Sequence, residues 1–203
     1  GSQQLTYEEM RAGVEEAQKA GKLTASHAQG TAGIKDVVRA GIDSIEHGFF
    51  LDAEAIDMML ERGTYFVPTL AALYYIIERG VEGGVPAWMV DKAKRASDAQ
   101  LDSFARAVKA GVNIAAGNDG GTPSNPCGAL AGELERLVAN GLTPAQALLA
   151  ATRDASKLLR VDGLVGTVEP GKLADLVVLA GDPLADISAM RKVDMVMKDG
   201  KVV

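Results

Sequence analysis

Cysteine, histidine and aromatic side chains are scarce in this chain, and each scarcity removes a class of protein. The lone cysteine, Cys127, rules out an intrachain disulfide and with it a disulfide-stapled fold. Its setting, Ser124-Asn125-Pro126-Cys127-Gly128, allows a catalytic thiol, but a buried inert thiol is the commoner state. Aromatics make up 4% of 203 residues, too few for a platform that stacks on nucleic-acid bases. Basic groups are outnumbered, 21 against 27 acidic ones, and the net charge of −6 leaves no basic stripe for a phosphate backbone. No apolar run reaches the roughly 18 residues that a membrane span needs. No signal-peptide pattern opens the chain, so a cytoplasmic location is favoured, with an upstream leader left open. Gly1-Ser2 reads as a cloning remnant.

What is abundant points to a packed α/β protein. Hydrophobic residues are 47% of the chain, rich in Ala, Val and Leu, with 23 glycines, a profile that suits helices lying on buried strands. Thr6-Tyr7-Glu8-Glu9 is a capping box that opens a helix to about residue 20. Helices are also predicted over 31–40, 52–62, 87–110 and 128–140, and from a second capping box at Thr143-Pro144-Ala145-Gln146 to about residue 159. Between them lie strand-like runs at 22–27, 42–47, 64–69 and 112–117. Strands alternating with helices are the pattern of a parallel sheet. The stretch 70–86, with Gly80, Gly83 and Gly84, reads as a looser segment, a candidate lid. After residue 160 the pattern changes to turns and short strands, 173–179 and 193–197, with an Asp199-Gly200 hairpin turn into the last residues. We therefore expect an α/β unit over 1–160 and a small β module over 161–203.

The two histidines, His27 and His47, each close a predicted strand, and Asp119 follows the fourth strand. In parallel (β/α) barrels the strand C-termini converge on the face that carries the active site. Two imidazoles and a carboxylate meeting there are most of a divalent-metal site. Each has a structural alternative. A strand-end histidine often only satisfies a hydrogen bond, and Asn118-Asp119-Gly120 is also a good Asx turn. Glu46 is expected to point away from the site, and Tyr74, Tyr75 and Trp88 to pack rather than face substrate. The glycine-rich stretch 117–121 lacks a following Lys-Ser/Thr and is no phosphate loop.

Taken in order, Ser26-His27-Ala28-Gln29-Gly30, Ile45-Glu46-His47-Gly48, Gly117-Asn118-Asp119 and Glu169-Pro170-Gly171-Lys172-Leu173-Ala174-Asp175 resemble the metal-dependent amidohydrolase superfamily. The likeness is nearest to its imidazolonepropionase-like and prolidase-like (Xaa-Pro and Xaa-Arg/Lys dipeptidase) branch. It implies the C-terminal half of a TIM-like (β/α)8 barrel, strands five to eight, with a C-terminal β-sandwich segment. It also implies His27, His47 and Asp119 as metal ligands, with Asp119 as general base. The cofactor implied is a divalent metal, zinc first, as one or two ions. The substrate implied is a dipeptide or cyclic amide, cleaved at a C–N bond by metal-activated water. The superfamily's His-x-His pair and its carboxylated Lys or Glu have no counterpart in this chain, and Asn118 stands where Thr or Ser is frequent. The expected partner is the N-terminal half or a second copy, with no nucleic acid and no membrane. Two rival readings are a non-catalytic half-barrel that survives by self-association and a mononuclear deaminase of the same superfamily.

Overall fold

The computed structural model describes residues 3–121 and 125–203. Gly1-Ser2 and Thr122-Pro123-Ser124 lie outside the described residues. Helix α1 (Tyr7–Lys19) opens with the expected capping box, in which Thr6 and Glu9 each accept the other's backbone N–H. Then come β1 (Ala25–Ala28), α2 (Thr31–Ala40), β2 (Ser44–His47), α3 (Ala53–Arg62) and β3 (Tyr65–Val67). The three strands form one parallel sheet in the order β1-β2-β3, with Ala25 opposite Ser44 and Ser44 opposite Tyr65.

The predicted strand over 112–117 is shorter than its sequence suggests. It joins the sheet through a single parallel bridge between Phe66 and Ile114. Beyond that point the Ala116 N–H donates to the Ala150 carbonyl instead of a strand, and the ladder stops. The backbone still runs close to β3, since a Cβ on Gly117 would lie 2.8 Å from Val67 Cγ1.

The stretch 70–86 differs most from expectation. Leu70–Arg79 is a regular helix, α4, with Leu70, Ala71 and Ala72 buried, so it is no loose lid. Local sequence hides it because its preceding residue, Thr69, makes no side-chain cap bond. The cap comes from Glu133, more than sixty residues away, whose carboxylate accepts the Leu70 and Ala71 N–H groups at 3.0 and 2.7 Å. Helix α5 (Ala87–Ala110) follows as predicted, then α6 (Leu130–Ala139) and α7 (Pro144–Leu149). Helix α7 keeps its Thr143–Gln146 capping box and continues through a π segment, Ala150–Asp154, into α8 (Ala155–Leu158).

Side chains on the helix side of the sheet form the core, where Ile34, Val38, Ile45, Phe66, Phe104 and Leu134 are fully buried. Each such side chain contributes about 1.5–3 kcal/mol by leaving water. The last segment is an antiparallel sheet of β4 (Leu176–Leu179), β5 (Val193–Lys198) and β6 (Lys201–Val202). A 3-10 turn, Ile187–Arg191, ties it to α6, with the Arg191 guanidinium paired to Glu135 at 2.6 and 2.7 Å.

Candidate metal centre

Alternation along the strands sorts side chains between the sheet's two faces. Ile45 and Phe66 pack on the helices, so Ser44, Glu46, Tyr65 and Val67 point to the opposite face. His27, in register with Glu46, shares that face and is exposed. His47 would turn toward the helices by simple alternation, but its φ of 72° breaks the pattern. The two imidazoles end 4.4 Å apart between centroids, edge to face at 64°. Gly48 makes this turn possible. A Cβ there would sit 2.6 Å from the Phe66 ring, and its φ of +53° is left-handed as well.

The buried His47 ring is held from below. Its Nδ1 lies 2.7 Å from Thr69 Oγ1, and the same hydroxyl reaches the Pro68 carbonyl at 2.8 Å. The segment after His47 is pinned by the buried Ser103 on α5, which donates to the Phe49 carbonyl and accepts the Leu51 N–H. Burial, and then the neighbouring His27, hold the His47 pKa below its ordinary value, while Asp119 pulls it up. A neutral ring at working pH has a lone pair to offer.

Asp119 is exposed and also left-handed, with φ 53°. The buried Asn125 fixes its backbone by donating to the carbonyls of Asn118 and Asp119. The Asp119 charge is felt at both His47 and Glu46. Glu46 therefore does not point away from the site, as its sequence position suggested. It accepts the Ser44 hydroxyl at 2.6 Å, and burial raises its pKa. Cys127, for its part, is exposed rather than buried.

The donor chemistry fits a divalent ion, with paired imidazoles, one anchored through Nδ1, and a carboxylate whose charge reaches His47. Among the described residues no three His, Cys, Asp or Glu side chains converge closely enough to enclose an ion unaided. The chain offers part of a ligand shell. Sequence reasoning missed Thr69 and Glu133. Thr69 had one legible signal, its place at a strand end equivalent to those of His47 and Asp119. Glu133 had another, as a charge on the same helical stripe as Leu130, Leu134 and Leu137. Of the aromatic residues, Tyr75 packs on Gly132, Tyr74 lies beneath the Arg136 guanidinium, and Trp88 is exposed.

Comparison with known proteins finds relatives along nearly the whole chain. Ochratoxinase of Aspergillus niger is 34% identical over 205 residues, covering 98% of this chain and 42% of that protein. A Xaa-Pro dipeptidase crystallised with methionine in its active site superposes with a TM-score of 0.91 at 40% identity, over 98% of this chain and 49% of that one. A prolidase in complex with N-methylphosphonate-L-proline gives 0.89 at 33% identity, with 98% and 49% coverage. The chain thus spans about half the length of the relatives it matches. The amidohydrolase family model matches residues 1–203, and the chain belongs to that family.

Proposed function

We propose that this chain carries the C-terminal half of a metal-dependent hydrolase of amide C–N bonds, with a dipeptide as substrate. The observation that carries the reading is the contact of the His27 and His47 rings at the ends of adjacent parallel strands. The prolidase and Xaa-Pro dipeptidase likeness favours a dipeptide over a cyclic amide. His27, His47 and Asp119 would hold the metal, zinc by donor type and one or two ions in number. When bound, a divalent ion supplies Lewis acidity that polarises the scissile carbonyl and lowers the pKa of water toward neutrality. Asp119 takes the proton of the attacking water and delivers it to the departing amine nitrogen. The neutral His47 keeps its ring position during this transfer because Thr69 holds Nδ1.

The same reading assigns residues 1–160 to strands five to eight of a (β/α)8 barrel and 161–203 to one part of a β-sandwich. Two features support it. Among the described residues nothing pairs with the outer edge of β1, and an open trough of about 1020 Å³ runs beside it. The terminal sheet exposes Val178 and Val202 on one face, as a layer awaiting a second layer would. Ligands beyond these three then come from outside these residues, from the N-terminal half or from a second copy. The test compares the protein as its gene encodes it with the 203-residue chain alone, on Xaa-Pro dipeptides with zinc added. The encoded protein is expected to cleave them, and the chain alone to show little or no turnover. Turnover by the chain alone that is lost in His27→Ala would overturn the half-site reading.

A further inference from the structure

Thr69 is an unusual residue in this fold. It is β-branched, almost fully buried, and held at φ 52°, a left-handed conformation that such side chains rarely adopt. Strain of this kind persists only where the surroundings over-determine it. Here they do so from three elements. Gln100 of α5 donates to the Pro68 carbonyl at 2.7 Å. Glu133 of α6 accepts the next two backbone N–H groups, those of Leu70 and Ala71. The Thr69 carbonyl accepts the Ala72 N–H at 3.1 Å. None of these partners is itself a candidate metal ligand, and all of them fix where the Thr69 hydroxyl sits.

A hydroxyl has one proton to give. Thr69 Oγ1 has two close neighbours, the Pro68 carbonyl at 2.8 Å and His47 Nδ1 at 2.7 Å. If the proton went to Nδ1, two oxygens would face each other at 2.8 Å with no hydrogen between them. If it goes to the carbonyl, which can only accept, both contacts are satisfied provided Nδ1 carries its own proton and donates it to Oγ1. We propose that Thr69 is a positioning residue that sets the His47 tautomer, holding the proton on Nδ1 and leaving Nε2 as the ligating nitrogen, with Glu133 and Gln100 clamping Thr69 in place. The inference rests on the reading of His47 as a metal ligand and extends it to a residue that never touches the metal.

The experiment uses the protein as encoded, labelled with 15N-histidine, with the His47 ring signal identified by its loss in His47→Ala. In the metal-free protein, two-bond 1H–15N correlations should show Nδ1–H and a bare Nε2. Thr69→Ser, which keeps the hydroxyl, should preserve that tautomer. Thr69→Val, which keeps the shape and removes the acceptor, should shift the ring toward Nε2–H. It should also weaken zinc about 10- to 100-fold in a chelator competition. A wild-type ring protonated at Nε2, or a folded Thr69→Val with unchanged tautomer and zinc affinity, would overturn the proposal. The wild-type measurement decides even if the Val variant fails to fold. Unchanged zinc affinity in His47→Ala would sink the ligand assignment on its own, and the tautomer readout would still decide the Thr69 contact.

Discussion

Three of the five described non-glycine residues with positive φ are His47, Thr69 and Asp119, which lie at the end of β2, just past β3 and beyond the Ile114 bridge to β3. Backbone strain concentrated at strand ends is what a pre-organised site requires, because alternation alone would send such side chains to the wrong face. The histidines and the aspartate were legible in the sequence as residue types at strand ends. Their conformations were not, since local preference disfavours them and distant partners impose them. Asp119→Asn in the protein as encoded should lower turnover by about 10²-fold or more while metal analysis finds most of the metal retained. Normal turnover in that variant would remove Asp119 from proton transfer. Gly48→Ala should destabilise the fold by about 1–3 kcal/mol in urea denaturation, because its methyl meets the Phe66 ring in a backbone conformation that alanine avoids. A change within a few tenths would mean that the ring yields easily.

At the scale of elements, legibility followed the range of the interactions. Helices α1, α2, α3, α5 and α7 begin within a residue of where the sequence put them, and the cap bonds of α1, α3 and α7 come from neighbouring residues. Helix α4 was missed because its cap is tertiary. Glu133 is buried against that helix, and burial raises its pKa from 4.5 to about 7, against the two N–H donors that favour the charge. Below pH 4.5 the carboxyl is protonated folded and unfolded alike, and its contribution to stability is fully present. Between 4.5 and about 7 the unfolded chain has released a proton that the folded one still holds, so stability falls as pH rises, by on the order of 3 kcal/mol across the window. Glu133→Gln should remove this slope and leave a flatter stability profile between pH 5 and 7, measured by denaturation at fixed ionic strength. An unchanged slope would assign the effect to other groups.

For the whole molecule, the parallel α/β architecture and the change of pattern near residue 160 were readable because periodicity and turn composition are local. The extent of the sheet was not. The fourth strand keeps one bridge because its further backbone partner is a helix carbonyl, Ala150, which no strand pattern announces. The outer edge of β1, bare among the described residues, and the apolar face of the terminal sheet lead us to expect that the 203-residue chain alone associates with itself. Light scattering should find dimers or larger species; a compact monomer at high concentration would count against that expectation.

Whether both imidazoles serve one metal centre is tested most directly by metal analysis of the encoded protein. Equilibrated with zinc and freed of excess, His27→Ala and His47→Ala should each lose at least one equivalent of bound metal relative to the unsubstituted protein, while Trp88→Ala, altered at an exposed helix residue, should not. Full metal content in both histidine variants would contradict the account.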